Sequence, residues 1–192
     1  VDLTRFSPPA EPNRNTKPRI LFVGSVGIRK GVPWLLRAFA GLSDIAELHL
    51  IGPVEKGFEK ILAQHKLAGV TLRGALPSGQ LPAELKAADV FCLPSLEEGF
   101  PLSMLQAMAS ELPIVTTKEA GVEDIIEPNI EGLIVLSKDS ANLAEALGQL
   151  VNDADQRRQL GIAARRRVEQ GFSWDDYIDR AITAYHALAA TT

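Results

Sequence analysis

Short apolar runs rich in β-branched residues alternate with longer helical patterns along most of this 192-residue chain. The runs are predicted strands, and they cover Ile20–Val23, Leu48–Ile51, Val70–Arg73, Val90–Leu93, Ile114–Thr116 and Leu133–Leu136. Predicted helices cover Val32–Leu42, Gly57–His65, Leu81–Ala87, Leu102–Ser110, Val122–Glu127, Asn142–Val151, Ala154–Glu169 and Trp174 to Ala189. Such alternation predicts an α/β fold, with about six parallel strands in a Rossmann-like, doubly wound sheet that carries helices on both faces.

The first 18 residues differ in composition from the rest of the chain. They carry four prolines among polar residues, Pro8, Pro9, Pro12 and Pro18, which predicts an extended interdomain linker over residues 1–18. Residues 19–192 are then one domain, including the C-terminal helices, because their number suits a single core. The chain begins with Val1, and we therefore expect a piece of a longer protein with another domain before the linker.

Composition narrows the possible partners. The formal net charge of −4 gives no reason to expect nucleic-acid binding. The single cysteine, Cys92, lies in an apolar run and is expected to be a buried, inert thiol. No apolar run approaches the ~20 residues of a membrane span, and no signal peptide is recognisable, so a cytoplasmic location is expected. Peripheral membrane association of the full-length protein stays open.

No metal site is predicted. The three histidines lie apart in a predicted strand and two predicted helices, without the spacing of metal ligands: His49, His65 and His186. Asp153 and Asp155 imitate a metal-binding pair, but Asp153 stands between two helices and pairs with Gln156 as an expected cap. Ser173 and Asp176 resemble a capping box for the last helix.

Most functional candidates follow directly after a predicted strand. These segments are Gly24 to Gly27, Gly52–Pro53, Gly74, Ser95 to Gly99, and Lys118 to Gly121. In a doubly wound sheet, ligands bind in the crevice outside the carboxyl ends of the strands. The sequence therefore predicts a nucleotide site where these five loops converge.

The fourth of these loops leads into the most informative stretch, residues 98 to 117. Glu98 and a glycine precede Pro101, which opens a short helix where its missing N–H costs nothing. A carboxylate placed there can accept hydrogen bonds from sugar hydroxyls. The start of the helix favours an anion such as a phosphate.

This stretch closely resembles the donor-site motif of retaining glycosyltransferases of family 4, which have the GT-B fold. The family pattern is Glu-Gly-Phe-Gly/Pro-Leu, a second Glu eight positions after the first, and then Ala-Met-Ala-x-Gly-x-Pro-Val. This chain has Gln106 in place of the second Glu and Glu111 in place of the Gly. The resemblance covers the chain beyond the linker and implies the C-terminal, donor-binding half of such an enzyme. Even Val1-Asp2-Leu3-x-x-Phe6 looks like the family's approach to that domain.

The resemblance also implies roles for individual residues. Lys30 would hold the donor diphosphate, helped by Arg29 because Ser25 stands where the family has an arginine. Glu98 would bind the hexose, and Gln106 would face the ribose. The predicted catalytic residues are thus Glu98, Lys30 and Arg29, and the predicted donor-binding residues are Gly24, Ser25, Gly27, Gly74, Gly99, Phe100, Pro101, Leu102 and Gln106.

Simpler interpretations of these residues exist. Arg29 and Lys30 could be a solvated pair at a helix start, although cations there oppose the helix dipole. Gln106 could belong to a polar surface stripe with Ser103 and Ser110. The five arginines of the long helix, Arg157, Arg158, Arg165, Arg166 and Arg167, are expected to form a solvated face.

The implied activity is transfer of a hexose from a nucleotide diphosphate sugar to an acceptor hydroxyl, with retention and without metal or cofactor. The acceptor would bind through the missing N-terminal domain, so this chain alone is expected to be inactive. A non-catalytic nucleotide-sugar binding or scaffold module remains an alternative because of Ser25 and Gln106. A sugar-nucleotide 2-epimerase shares the fold, but the Glu-Gly-Phe-Pro context argues against it. A pyridine-nucleotide dehydrogenase is disfavoured because no Gly-x-Gly-x-x-Gly follows the first strand.

The last predicted helix carries an apolar stripe. Its members recur at helical spacing and are Tyr177, Ile178, Ala181, Ile182, Tyr185 and Leu188. By resemblance to the family, this helix is expected to pack back toward the N-terminal domain.

Overall fold

A single parallel sheet organises the computed structural model, which describes residues 1–11, 13, 15–65 and 67–189. Its strands are β1 (Arg19–Val23), β2 (Glu47–Ile51), β3 (Val70–Gly74), β4 (Val90–Leu93), β5 (Ile114–Thr117) and β6 (Gly132–Val135). They pair in the order β3-β2-β1-β4-β5-β6, every pair parallel. The predicted α/β, doubly wound fold is confirmed. Pro12 and residues 190–192 lie outside the described residues.

Helices connect and cover the strands. They are α1 (Val32–Phe39), α2 (Glu59–Leu62), α3 (Leu81–Lys86), α4 (Leu102–Ala109), α5 (Ser140–Asn152), α6 (Ala154–Glu169) and α7 (Trp174–Ala189), with a short 3₁₀ helix over Lys118–Ala120. The central strands β4 and β5 are buried along their whole length, whereas β3 is an exposed edge strand. Strands buried on both faces read as continuous apolar runs, which is why the sequence predicted them clearly.

The predicted helix over Val122–Glu127 is wrong. The N–H groups of Ile125 and Ile126 both donate to the carbonyl oxygen of Val122, at 2.9 and 3.0 Å, and the chain then leaves the helical path. Pro128 disfavours a helical conformation at the residue before it. A single turn therefore buries the apolar side chains whose spacing suggested a helix.

The segment predicted to be a linker packs in part against the domain. No helix or strand forms among its described residues, but the side chains of Val1 and Phe6 are buried. The amino group of Val1 donates to the carbonyl of Phe172 at 2.5 Å, and Arg165 donates to the carbonyl of Phe6 at 2.8 Å. A division between a linker over residues 1–18 and a domain over residues 19–192 stays a prediction.

The arginines of α6 are only partly a solvated face. Three of the five donate to backbone carbonyl groups of neighbouring segments, and the expectation is wrong for these: Arg157 to Leu150 and Val151, Arg165 to Ala109 and Phe6, Arg167 to Asp124 and Ile125. Arg158 and Arg166 are exposed. The guanidinium groups thus join α6 to the ends of α4 and α5, where carbonyl groups lack helical partners.

Helix α7 begins at the predicted capping box. The backbone N–H of Ser173 donates to Oδ2 of Asp176 at 3.0 Å, and the N–H of Asp176 donates to Oγ of Ser173 at 3.0 Å. The predicted apolar stripe lies on the surface, and none of the described α7 residues is buried. None of the described helices is sufficiently long and apolar to cross a membrane.

Candidate functional site

Five loops at the carboxyl ends of the strands join through backbone hydrogen bonds. The loop after β1 reaches the one after β2 through the N–H of Gly24, which donates to the carbonyl of Ile51 at 2.9 Å. The end of β3 joins them, since the N–H of Gly52 donates to the carbonyl of Gly74 at 2.9 Å. The loop after β4 joins the loop after β1 through the N–H of Leu96, which donates to the carbonyl of Arg29 at 2.8 Å. It joins the loop after β5 through the N–H of Glu98, which donates to the carbonyl of Glu119 at 3.0 Å. The structure therefore brings the predicted loops together.

The three residues predicted to be catalytic meet in this crevice. The ammonium group of Lys30 contacts Oε1 of Glu98 directly, and their side chains are only 14% and 10% exposed. The guanidinium of Arg29 lies 3.9 Å from Oε2 of Glu98 and donates to the carbonyl of Glu97 at 3.0 Å. Lys30 is therefore not a solvated residue at a helix start. Arg29, half exposed, stands at the rim.

Two glycines allow the backbones of these loops to approach closely. Gly31 precedes α1 with a φ of 73°, and a Cβ there would lie 1.8 Å from the carbonyl oxygen of Pro94. Gly121 has a φ of 67°, and a Cβ would lie 3.0 Å from the carbonyl oxygens of both Glu98 and Gly99. Only glycine combines this conformation with so little space.

Sequence reasoning missed two hydroxyl groups behind Glu98. Ser95 follows β4 and is fully buried, and its Oγ donates to Oε1 of Glu98 at 3.1 Å. The hydroxyl of Thr117, at the end of β5, donates to the carbonyl oxygen of Ser95. The only hint in the sequence was a small polar residue three positions before Glu98. The contact with Thr117 depends on the order of β4 and β5 in the sheet.

A further carboxylate lies beside the loop after β1. Glu55 accepts a hydrogen bond from Oγ of Ser25 at 2.9 Å, and a Cβ on Gly27 would lie 1.9 Å from one of its oxygens. Ser25 therefore holds an anion at the position where the family resemblance would place a cation. Arg29 and Lys30 remain the cations of this loop.

The loop before α4 carries backbone N–H groups that were predicted to face the donor. The N–H groups of Gly99 and Phe100 donate to no protein group in the described part of the chain, so they are open to a ligand. The role of Leu102 in donor binding stays a prediction, although its N–H donates to the carbonyl of Phe100 at 3.0 Å. The reason for this hydrogen bond is the conformation of Pro101, with φ −82° and ψ 84°, which is close to an inverse γ-turn.

Gln106 lies on the second turn of α4 and is half-buried. Its side-chain amide makes no hydrogen bond within the described residues. Ser110, the next member of the proposed polar stripe, is buried and donates its hydroxyl to the carbonyl of Gln106 at 2.9 Å. A solvated stripe through Ser110 is therefore wrong, and the ribose role of Gln106 stays a prediction.

Other polar and titratable side chains lie away from this crevice. Cys92 is fully buried in β4, and burial raises the pKa of its thiol. His49 is buried in β2, where burial and the charge of Arg19 lower the pKa of its imidazole. Within the described ranges, no group of three or more His, Cys, Asp or Glu side chains could hold a metal ion.

Comparison with known proteins gives the family. Residues 4–167 match the model of the family described as glycosyl transferases group 1. This match covers most of the chain, and the chain therefore belongs to that family.

Curated relatives and solved structures agree with this assignment. The chain is 33% identical over 198 residues to an MMP alpha-(1->4)-mannosyltransferase of Mycolicibacterium hassiacum, and the match covers 99% of the chain and 47% of the relative. It is 30% identical over 211 residues to a D-inositol 3-phosphate glycosyltransferase of Corynebacterium urealyticum, with 98% and 50% covered. The chain thus spans about half the length of the curated relatives it matches.

The fold agrees with the C-terminal half of GT-B glycosyltransferases. A sucrose-phosphate synthase from Thermosynechococcus elongatus superimposes with a TM-score of 0.87 at 27% identity, over 100% of this chain and 52% of that one.

Proposed function

We propose that this chain is the nucleotide-sugar-binding half of a retaining glycosyltransferase of family 4. The whole enzyme would transfer a hexose from a nucleotide diphosphate sugar to an acceptor hydroxyl. The observation that carries the proposal is the contact of Lys30 with Glu98 at the point where the strand-end loops converge. This contact puts an ammonium group, which can bind phosphate, beside a carboxylate, which can bind sugar hydroxyls. A nucleotide diphosphate sugar presents both a phosphate and sugar hydroxyls.

In this proposal the donor replaces the Lys30–Glu98 contact with two contacts of its own. Hydroxyls of the hexose donate to the carboxylate of Glu98, and the diphosphate accepts from the ammonium of Lys30. The open N–H groups of Gly99 and Phe100 add donors for phosphate or sugar oxygens. The remaining predicted contacts are backbone approach at Gly24, Gly27 and Gly74, and ribose binding by Gln106.

Charge stabilisation is the proposed catalytic contribution of this half. Breaking the anomeric bond leaves positive charge on the sugar and negative charge on the departing diphosphate. Once Lys30 has exchanged Glu98 for the diphosphate, Lys30 and Arg29 lie beside the departing group, so little further reorganisation is needed as that negative charge develops. The proposed reaction needs neither a metal nor a cofactor.

The other half of the enzyme would supply the acceptor. Proximity and orientation are worth ~7–11 kcal/mol in such reactions, so we propose that this chain alone binds donor but does not transfer it. A cytoplasmic enzyme is proposed. The hexose is supported by the name of one relative, a mannosyltransferase.

A donor panel tests the binding function. Thermal shift with UDP-, GDP-, ADP- and TDP-sugars, and with the matching nucleoside diphosphates, should reveal at least one stabilising donor. Lys30→Ala should then lose ~1.5–3 kcal/mol of diphosphate binding but little nucleoside binding, because it removes a charged hydrogen bond. The exposed Lys60 on α2 provides a matched control, and Lys60→Ala should bind as the parent chain does. No stabilisation by any nucleotide would contradict the proposal.

One observation favours a second function, a non-catalytic nucleotide-sugar binding module. The Ser25–Glu55 hydrogen bond puts a carboxylate where the family resemblance implies an arginine, and this weakens the positive field for a leaving diphosphate. The full-length protein separates the two functions. Binding without transfer or hydrolysis of any donor in the panel would favour the module.

A further inference from the structure

We infer that Ser95 is a positioning residue for Glu98, an inference that rests on the proposed function. Its hydroxyl donates to Oε1 of Glu98 at 3.1 Å, and the serine has no exposed surface. A fully buried hydroxyl that reaches only the carboxylate from the protein side cannot itself touch a donor in the crevice. Its effect must therefore pass through Glu98.

The two oxygens of Glu98 have different surroundings. Oε1 receives both the Ser95 hydroxyl and the Lys30 ammonium. Among the described residues, Oε2 has only the guanidinium of Arg29, at 3.9 Å, which is too long for a hydrogen bond. Oε2 is therefore the oxygen presented to sugar hydroxyls.

Ser95 matters most when a donor is bound. The proposed function moves the Lys30 ammonium from Glu98 toward the diphosphate, and the Ser95 hydroxyl is then the one donor to Oε1 that the described part of the chain supplies. That hydrogen bond fixes the rotation of the carboxylate, so that Oε2 meets the hexose without reorganising.

The backbone of Ser95 is itself held in place. Thr117 is buried at the end of β5, and its hydroxyl donates to the carbonyl oxygen of Ser95. The main chain of Glu98 is fixed from the same side, since its N–H donates to the carbonyl of Glu119 at 3.0 Å. Strand β5 and the segment after it thus support the sugar-binding carboxylate from behind.

The test compares the affinity of this chain for UDP-glucose with its affinity for UDP, or for the glucose-linked and bare forms of whichever nucleotide the panel identifies. Ser95→Ala should leave the affinity for the bare diphosphate unchanged. It should reduce the preference for the sugar-linked form by about threefold to tenfold, which is less than the roughly tenfold to 150-fold of a direct hydrogen bond to a charged group because Ser95 acts through Glu98. In the full-length enzyme, kcat should fall more than KM rises.

Thr116→Val is the matched control. Thr116 is fully buried on β5, and its hydroxyl donates to the carbonyl of Leu93 at 2.9 Å, on the same two strands but away from Glu98. This variant should lose stability and keep the full preference for the sugar-linked form. Ser95→Cys keeps a weak donor of similar shape, so it should lose less of the preference than Ser95→Ala does. If Ser95→Ala does not fold, Ser95→Cys is compared with the parent chain and should show a partial loss.

Three results would overturn the inference. The first is an unchanged preference for the sugar-linked form in both Ser95 variants. The second is a loss of that preference in Thr116→Val as large as the loss in Ser95→Ala. The third is a Ser95 variant that loses affinity for the bare and the sugar-linked nucleotide equally. Failure of the parent chain to bind any nucleotide would instead contradict the proposed function itself.

Discussion

The ammonium of Lys30 and the carboxylate of Glu98 contact each other across 68 positions of sequence, and both side chains are largely buried. The two charged groups therefore pair with each other in the absence of a donor. Under the proposed function, a bare nucleoside diphosphate would compete with Glu98 for Lys30, whereas a nucleotide sugar would offer a new partner to both. This contact should favour the intact donor over its own product.

Glu98→Gln tests this consequence. The substitution removes the carboxylate that competes for Lys30 and repels the diphosphate, so the affinity for bare UDP should rise, by about threefold to tenfold. The affinity for UDP-glucose should rise less, because a sugar hydroxyl loses an ionised acceptor. Isothermal titration of both ligands measures the two changes. Weaker UDP binding in a folded variant would show that the pair does not restrain Lys30.

Gln106→Glu tests the ribose prediction. A carboxylate accepts from two vicinal hydroxyls more strongly than an amide does, so binding of a ribonucleotide should be kept or improved. A 2′,3′-dideoxy analogue lacks those hydroxyls and should gain less. Competition measurements with both nucleotides give the comparison. Equal responses would place Gln106 outside the ribose contact.

Glu111→Gly tests a departure from the family pattern. Glu111 ends the turn after α4 with a φ of 64°, a left-handed conformation that glycine adopts without strain. The glycine variant should therefore gain up to about 1 kcal/mol in free energy of unfolding. Urea denaturation measures the gain, and Glu111→Ala is the control because alanine keeps the strain. A gain in the alanine variant as large as that in the glycine variant would assign the effect to the lost side chain.

The central strands could be predicted from sequence because their buried residues form apolar runs, whereas the exposed edge strand β3 was predicted from its place in the strand–helix alternation. The positions of the loops could then be predicted from the strands, since parallel strands place all their carboxyl ends at one edge of the sheet. The partners of Glu98 could not be predicted in the same way. Ser95 and Thr117 meet because β4 lies beside β5, and no local pattern gives the direction of a hydroxyl. The hydrogen bond of Leu102 has a local cause that the sequence did not reveal, since the conformation at Pro101 turns its N–H back to the chain.

His49 gives a pH-dependent contribution to stability. Its imidazole is buried in β2, 3.6 Å from Glu47, and its Nδ1 has no partner among the described residues. Burial lowers the pKa of His49 below 6.5, with a further contribution from Arg19, while the carboxylates of Glu47 and Glu84 oppose this and Arg73 adds to it. The folded protein therefore resists protonation that the unfolded chain accepts.

The sign of the effect follows from linkage. Below pH 6.5 the unfolded chain binds a proton at His49 that the folded chain does not, so the free energy of unfolding should fall as the pH drops. The contribution is fully present above pH 6.5. His49→Gln should flatten the pH profile of stability just below 6.5, measured by urea denaturation at closely spaced pH values. His65→Gln is the control, because His65 is less buried and its Nδ1 already contacts the carbonyl of Ile61 at 2.9 Å. Identical profiles for His49→Gln and the parent chain would show that His49 is protonated equally in both states.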